Sequence, residues 1–515
     1  MKSKRIRLIT ALVVILSISF SCIYLIYAEA TKDAYVCHMT TYDYADADNF
    51  VDMLDEKSYT TSTYYGSSCS TSRFDDNDRT VMYWSAHGNS SGQMWGYNGP
   101  FDALSAINIS GTDNDWENPE HTITTSDWDG DLEFVFIAAC NQLHSNIRYK
   151  YARAMLGTNR IRVISGYHDY APSYPCDGYI STKFEEYADA SQSVKSSWIQ
   201  ANEYWAGQGY TNPNNWCVLT HSGNVQYSRM PGFGGAQYDR PGTSTASILR
   251  FSQLYPNGTP QPLSRNEKSE IAEKAGLILN CEPKITAAIP TYSLIANNAD
   301  ISIDKSSNIF KTMNIIKSES NEGLYTMHEL GDKPIGFSKE KAIDLTRKWA
   351  NEVYNEKGSL FTANLKEVVP LVVAEVDLDG NAKEEKEETF AYSVRFANMY
   401  DGIRIRDNFY LALVDNDGVA SSMLKWNNFS KSIAKQNVEP LSYEKAIEIL
   451  SKSINKNPSH EMRLSDDCIT INNAEIVYSD EITKNGEYHP TWQFDMADGN
   501  TVLIDCFDRQ VFSIR

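Results

Sequence analysis

The chain has 515 residues, with 47 Lys and Arg against 67 Asp and Glu, which gives a formal net charge of −20. This length exceeds what one hydrophobic core usually serves and predicts about two to four domains. Hydrophobic residues make up 42% of the chain, which favours folded structure over disorder. Because phosphate contacts need local Lys or Arg, so acidic a chain excludes nucleic acid as its main partner.

A basic amino terminus precedes a long apolar run. Four cations within residues 1–7 are followed by residues 8–28, which carry no charge. This arrangement directs export, and small residues at positions 28 and 30 fit a cleavage site, so residues 1–30 are predicted to be a signal peptide. The run is nearly long enough to span a bilayer, so an uncleaved membrane anchor is the alternative. Both interpretations predict a secreted or extracytoplasmic location, with membrane contact only if the segment stays uncleaved.

Apolar runs alternate with helical patterns over residues 31–240. Residues 80–86 and 132–139 are nearly continuous apolar runs, and each is followed by a polar segment. Runs of this length suit strands that are buried on both faces of a parallel sheet. Because helical patterns lie between such runs, the alternation predicts an α/β layered domain.

The composition changes after residue 240, and two similar units follow. In each of the units 335–432 and 433–515, the motif Ser-x-Glu-Lys-Ala opens a helix, at residues 338 and 442, and the serine is a natural helix N-cap. Strand-like runs come next, so each unit is predicted to be a helix plus a small antiparallel sheet. Residues 241–334 are predicted to be a linker and, in a second interpretation, the start of the same C-terminal region.

The two units resemble the PepSY-type modules found in propeptides of secreted metalloproteases. The motifs that carry the resemblance are the two helix starts and the Pro-x-Trp-x-Phe strand at residues 490–494. The resemblance implies that the C-terminal region inhibits or chaperones another part of the same chain. An unrelated α+β repeat of this size would give a similar pattern, and that alternative stays open.

Two short motifs at predicted strand ends suggest a catalytic pair. His87 and Gly88 follow the first apolar run, whereas Cys140 follows the second, 53 positions after His87. The carboxyl ends of neighbouring parallel strands form the ligand crevice of an open sheet, so both side chains are expected at one cleft. A thiolate is a strong nucleophile, and a nearby imidazole can move its proton. The backbone N–H groups of Gly88 and Cys140 are the predicted oxyanion hole.

A hydrophobic block that ends in His-Gly, followed by one that ends in Ala-Cys, resembles the clan of caspase, legumain, gingipain and clostripain cysteine peptidases. The resemblance covers about residues 31–230. It implies a caspase-like three-layer α/β/α sandwich, with His87 as general acid/base, Cys140 as nucleophile and a peptide or protein as substrate. Asn141 and Gln142 follow the cysteine where caspases have x-Gly. The caspase preference for Asp is therefore not transferred.

Substrate selection is assigned by the same resemblance to the strand that follows the cysteine. Asp169 is the candidate there, because a carboxylate in the pocket would favour a Lys or Arg side chain of the substrate. A solvated loop carboxylate is the alternative interpretation of this residue.

Three alternatives compete with the peptidase. Cys140 is one of eight cysteines after residue 30, and disulfides are common in oxidising compartments. A zinc site would use four residues whose spacing matches no standard motif: His87, Cys140, His144 and Cys176. No cofactor is predicted, although Asp-rich turns at residues 75–78, 113–117 and 377–380 suit calcium. Finally, the same fold could serve as an exported, non-enzymatic binding protein.

Overall fold

A computed structural model describes most of the chain from residue 32 to residue 514. The described ranges are 32–39, 45–69, 71–74, 78–90, 92–97, 103–108, 131–158, 160–172, 176–208, 210, 212–234, 247–254, 293–294, 316–354, 365–378, 385–400, 403–430, 441–456, 470–481, 487–496 and 501–514. The predicted signal peptide or anchor at residues 1–30 lies outside these ranges. Within them, no helix is both long and apolar enough to cross a membrane.

Helices and strands alternate in the first half of the chain, and strands dominate the second half. The helices are α1 (Ala45–Glu56), α2 (Thr71–Phe74), α3 (Arg148–Thr158), α4 (Cys176–Asp189), α5 (Val194–Gln208), α6 (Lys339–Tyr354) and α7 (Tyr443–Lys456). The strands of the first half are β1 (Asp33–His38), β2 (Thr60–Tyr65), β3 (Val81–Ser85), β4 (His87–Gly88), β5 (Gln93–Tyr97), β6 (Ala103–Asn108), β7 (Phe134–Ala138), β8 (Val163–Tyr167), β9 (Trp216–His221) and β10 (Ile248–Gln253). The strands of the second half are β11 (Ser293–Leu294), β12 (Ile316–Thr326), β13 (Leu365–Glu375), β14 (Glu388–Tyr400), β15 (Ile403–Asp415), β16 (Gly418–Ser430), β17 (Thr470–Ser479), β18 (Glu487–Met496), β19 (Thr501–Asp505) and β20 (Val511–Ile514).

Five strands of the first half pair in parallel in the order β2–β1–β3–β7–β8. Helices cover both faces of these strands, which explains why β3 and most of β7 are buried on both sides. On one face, side chains of α1, α4 and α5 pack against the even-numbered residues of β1 and β7, beginning at Ala34 and Phe134. On the other face, α3 packs against the alternate residues, such as Trp84 and Ile137. The fold is therefore mixed α/β, as the alternation of patterns predicts.

The sheet continues into the C-terminal half without a break. Strand β9 is antiparallel to β8, β10 is antiparallel to β9, and β13 is antiparallel to β10. Strands β13 to β16 then form an antiparallel meander, and β12 pairs with β16. A short parallel contact between β15 and β17 adds the strands β17 to β20. In total, 17 of the described strands join one mixed sheet.

Each C-terminal unit has its own helix-covered core, and the first unit also shares a core with the amino-terminal half. Helix α6 packs on Tyr410 and Ala412 of β15, and α7 packs on Trp492 of β18. The alternate residues of β15, beginning at Phe409 and Leu411, belong to the same buried cluster as α1, α4 and α5. Strand β15 is therefore covered on both faces over residues 409–414, which explains the continuous apolar run there.

Three segments of the predicted linker are strands of this sheet, the shortest being β11 (Ser293–Leu294), which pairs with β17. Residues 248–253 form β10 between β9 and β13, and residues 316–326 form β12 beside β16. The short runs between Gly, Pro and Ser residues there carry too few apolar positions for a sequence pattern to predict a strand. Pairing with the neighbouring strands, and not a pattern in their own sequence, therefore explains why these segments are strands.

Candidate functional site

The predicted catalytic histidine and cysteine follow adjacent parallel strands at the same level. Strands β3 and β7 pair in register, with Ser85 opposite Ala138. One residue further, the Ala86 N–H donates to the Ala138 carbonyl oxygen over 3.3 Å. His87 and Cys140 each come two residues after this last register pair. The structure thus brings both residues to the carboxyl edge of the sheet.

Gly88 lies directly against the backbone of Cys140. A Cβ atom at position 88 would overlap the carbonyl oxygen of Cys140 and would lie 2.7 Å from Nε2 of Gln142. A side chain at position 88 would therefore push the two loops apart. The absence of a side chain lets the segment after β3 approach the segment after β7 at backbone distance.

The sulfur of Cys140 receives a hydrogen bond from the protein backbone. The Ala171 N–H donates to Cys140 Sγ over 3.3 Å, and the cysteine is partly exposed. The next residue, Asn141, has a φ of 61°, so the chain turns sharply after the cysteine. A donated N–H offsets negative charge on sulfur, so this position suits a thiolate.

All six cysteines that the structure describes carry thiols. Cys140 is partly exposed, whereas the others are buried: Cys37, Cys69, Cys176, Cys217 and Cys506. Burial raises the pKa of the Cys176 thiol well above its ordinary value and that of Cys217 to about 11. Such thiols are poor nucleophiles at neutral pH. The disulfide alternative for Cys140 thus has no support among the described cysteines.

Asp169 lies in the loop that wraps the cysteine turn. Its carbonyl oxygen accepts the Asn141 N–H over 2.8 Å, one residue from Cys140. Partial burial raises the pKa of the Asp169 carboxyl group. Its neighbour His168 is more deeply buried, and burial together with nearby arginines lowers the pKa of its imidazole to about 3. Asp169, the predicted specificity residue, therefore lies beside the turn that carries Cys140, because its carbonyl oxygen binds the residue after the cysteine. The imidazole of His168, in the same loop, is neutral at pH 7.

A second histidine, which the sequence analysis missed, lies on the adjacent strand at the same edge. His38 ends β1 opposite Ser85, and its Nε2 lies 3.1 Å from Oδ1 of Asp46. The hydroxyl of Tyr83 donates to the other carboxylate oxygen over 3.0 Å. Burial alone would raise the pKa of Asp46, but the charge and hydrogen bond of His38 hold it below its ordinary value. This pair is buried below the rim, so it supports the edge and does not face solvent.

The signal for His38 was present in the sequence. It follows the short apolar run at residues 34–37, just as His87 follows a longer one. A search for every polar residue after an apolar run would have placed His38 at the edge. Gln142 gave no such signal, because its contacts depend on how the two loops meet.

Metal ligation by the predicted zinc residues finds no support in the described ranges. The one group of His, Cys and acidic side chains there that lies close enough for a metal ion is His328, Asp415 and Asp417. The four residues considered for zinc do not form such a group: His87, Cys140, His144 and Cys176. The ring of His144 instead accepts the Asn146 N–H over 3.2 Å. Of the Asp-rich turns considered for calcium, residues 75–77, 113–117 and 379–380 lie outside the described ranges.

The arrangement at the carboxyl edge offers a partly exposed thiol, an imidazole that follows the adjacent strand, and the backbone N–H groups of Gly88 and Cys140 in these two adjoining segments. These are the groups that nucleophilic attack on a carbonyl carbon requires. No protein-family model matches the chain, and no curated protein matches it either. A functional assignment therefore depends on this edge of the sheet and its chemistry.

Proposed function

We propose that this protein is an exported cysteine peptidase with a caspase-like catalytic domain. The observation that carries the proposal is the in-register parallel pairing of Ser85 with Ala138, followed by the close contact of Gly88 with the Cys140 backbone. This pairing supports a shared cleft for His87 and Cys140 at the carboxyl edge, where open α/β sheets bind ligands.

In the proposed reaction, Cys140 Sγ attacks the carbonyl carbon of a peptide bond. A C–S bond forms, and the negative charge moves to the carbonyl oxygen, which the N–H groups of Gly88 and Cys140 stabilise. His87 gives its proton to the leaving amine as the C–N bond breaks. Water then hydrolyses the thioester, with His87 accepting a proton from the water, and the thiolate is restored.

Asp169 is the proposed specificity residue. Its backbone contact with Asn141 fixes it beside the cysteine turn, and its carboxyl group is only partly buried. A Lys or Arg side chain of the substrate would form an ion pair with this carboxylate. We therefore propose a preference for basic residues on the amino side of the cleaved bond.

The C-terminal region is proposed to resemble PepSY-type modules and to act as an intramolecular chaperone. Leu411 and Leu413 of β15 complete the core that α5 shares with the first half, which supports this role. Residues 1–30 are proposed to direct export and, if they remain uncleaved, to anchor the protein.

A peptide probe that carries a thiol-reactive group after a Lys residue tests the proposal on the purified full-length chain. We expect one labelled cysteine, Cys140, identified by peptide mapping. The Cys140→Ser variant should keep the wild-type unfolding midpoint but lose labelling, and its peptide cleavage should fall by more than about a thousandfold. The His87→Ala variant should lose labelling to a similar degree.

Exposure alone favours reaction at Cys140, so the controls must separate accessibility from activation. His328→Ala removes a half-buried histidine far along the chain and should leave labelling unchanged. Heat-unfolded protein should label all cysteines equally. If His87→Ala labels as well as wild type, Cys140 is simply an accessible thiol, the peptidase proposal is wrong, and an exported binding protein becomes the better interpretation.

A further inference from the structure

Gln142 is a buried side chain that connects the two loops of the proposed active site. It is 0% exposed, and its Nε2 donates to the Cys140 carbonyl oxygen over 3.2 Å and to the Asn89 carbonyl oxygen over 3.4 Å. Asn89 lies two residues after His87. One side-chain amide therefore bridges the segment that carries the imidazole and the segment that carries the sulfur.

The other end of the same amide is held by a helix. The hydroxyl of Tyr151, on α3, donates to Gln142 Oε1 over 3.2 Å, and burial raises the pKa of this tyrosine well above its ordinary value. The hydroxyl therefore stays protonated and remains a donor. Because the two loop atoms are carbonyl oxygens, which can only accept, the amide must present its NH₂ group to them, and Oε1 then accepts from Tyr151.

Space for this bridge exists only because position 88 is a glycine. A Cβ atom at Gly88 would lie 2.7 Å from Gln142 Nε2, which is too close for two such atoms. The left-handed turn at Asn141 reverses the chain so that the Gln142 side chain reaches back to the carbonyl oxygen of Cys140. The glycine, the turn and the glutamine are thus parts of one local arrangement.

We propose that Gln142 is a positioning residue that sets the distance between the Cys140 sulfur and the His87 imidazole. The inference rests on the proposed function, because it assigns to Gln142 the coupling of the two groups that act in it. Gln142 touches backbone carbonyls and not the substrate. An error of about 1 Å in such a pair is enough to reduce a reaction rate by roughly a hundredfold.

The pH dependence of iodoacetamide alkylation at Cys140 tests this role on the full-length chain, with the modified cysteine identified by mass. In the wild type, an imidazolium near the sulfur keeps it reactive below pH 8, where an ordinary thiol is mostly protonated. Gln142→Met keeps the volume but removes the bridge. We expect its alkylation rate at pH 6.5 to fall roughly tenfold, which corresponds to a shift of one pH unit.

Two further variants separate positioning from stability. Gln200→Met removes the amide of another fully buried glutamine, on α5, and should leave the alkylation profile unchanged even if it lowers the unfolding midpoint. Tyr151→Phe removes only the donor to Oε1 and should shift the profile in the same direction as Gln142→Met, but less. Adding His87→Ala to Gln142→Met should give no loss beyond that of His87→Ala alone.

The outcomes distinguish the two proposals. If the wild type reacts at low pH through His87 and Gln142→Met has the same profile, Gln142 has only a structural role and the peptidase proposal stands. If the wild type already behaves as an ordinary thiol and His87→Ala changes nothing, both proposals are wrong. A profile that moves in Gln142→Met but not in Gln200→Met supports the positioning role.

Discussion

Asp46 is a fully buried carboxylate that stays charged because His38 and its other neighbours stabilise the charge. The imidazole of His38 lies 3.1 Å from it, and Tyr83 donates to its second oxygen. Burial opposes the charged form, but the charge and hydrogen bond of His38, together with hydrogen bonds from Ser85 and Tyr83, outweigh it and lower the pKa of the carboxyl group. The pair lies at the ends of β1 and α1, so it fixes the first helix against the edge that carries the candidate site.

Asp46→Asn should destabilise the protein in a pH-dependent way. Because the folded-state pKa of Asp46 is lowered, its stabilising contribution is present above the unfolded value of about 3.9 and is lost as the pH falls through the folded value. We expect the variant to lose about 2 kcal/mol in free energy of unfolding at pH 7, and less at pH 3. Urea denaturation at both pH values measures this difference.

Asp52→Asn is the matched control, because Asp52 is exposed on the same helix. It should change the free energy of unfolding by less than about 0.5 kcal/mol at either pH. An Asp46→Asn deficit that is equally large at pH 3 and pH 7 would contradict the ionic interpretation of the buried pair.

Single residues differ in how well the sequence predicts them. His87 and Cys140 could be assigned to one sheet edge because each follows an apolar run, and in the structure the strands that precede them, β3 and β7, pair in register. Asp169 was found through the family resemblance, and its contact with Asn141 is a loop contact that no periodicity encodes. The contacts of Gln142 could not be predicted from the sequence, because its partners become neighbours only after the two loops pack together.

At the scale of one element, α5 is the least ordinary part of the fold. Its sequence is rich in polar residues, yet almost all of it is buried between the parallel strands and β15. Each buried polar group therefore needs a partner. Lys195 donates to Gln226 and to the Leu330 carbonyl oxygen, each over 2.8 Å. The alternation over residues 31–240 predicts helices of this kind, but not that both faces of α5 are covered.

A buried ion pair of Glu203 with Arg395 connects α5 to the C-terminal sheet. Both side chains are buried, and Arg395 donates to Glu203 over 2.6 Å. Burial would lower the pKa of Arg395, but Glu203 and Glu367 raise it above its ordinary value. Trp216 also donates to this glutamate, over 2.8 Å. The guanidinium therefore stays charged inside the interface.

Arg395→Met should leave Glu203 as a buried charge without its counterion. We expect the free energy of unfolding to fall by about 3–5 kcal/mol in chemical denaturation. Adding Glu203→Gln should recover part of this loss, since the uncompensated charge is then gone. Lys348→Met, which removes an exposed pair on α6, is the control and should cost less than about 1 kcal/mol. A double variant that equals the sum of its single variants would refute the coupling.

At the scale of the whole molecule, the two halves of the chain share one core. Phe251 of β10 and Leu371 of β13 belong to the same buried cluster as Trp198 and Phe136. The sequence predicts a folded domain within residues 31–240, because the alternation of patterns ends there. Sequence periodicity reports which face of an element is apolar, but not that this face is covered by strands more than a hundred residues away.

Deletion of residues 331–515 should therefore give an unstable or aggregating fragment. It removes β13 and β15, whose side chains cover α5 and β10. We expect increased binding of a hydrophobic dye and loss of the cooperative thermal transition. Deletion of residues 433–515 alone is the comparison, because α7 and its strands have largely their own core. It also removes Glu481, the partner of the buried Arg406, so that fragment should retain the cooperative transition at a lower midpoint. A soluble, cooperatively unfolding short fragment would show that the shared core is dispensable.

Because the sheet runs through both halves of the chain, its early strands are synthesised well before the strands that cover them. Phe251 leaves the ribosome about 160 residues before Leu413, yet both belong to one cluster. At typical elongation rates of about 5–20 residues per second, the early strands remain uncovered for roughly ten to thirty seconds, until the residues that pack against them are made. During that interval, the nascent chain exposes the apolar surface that the C-terminal strands later bury.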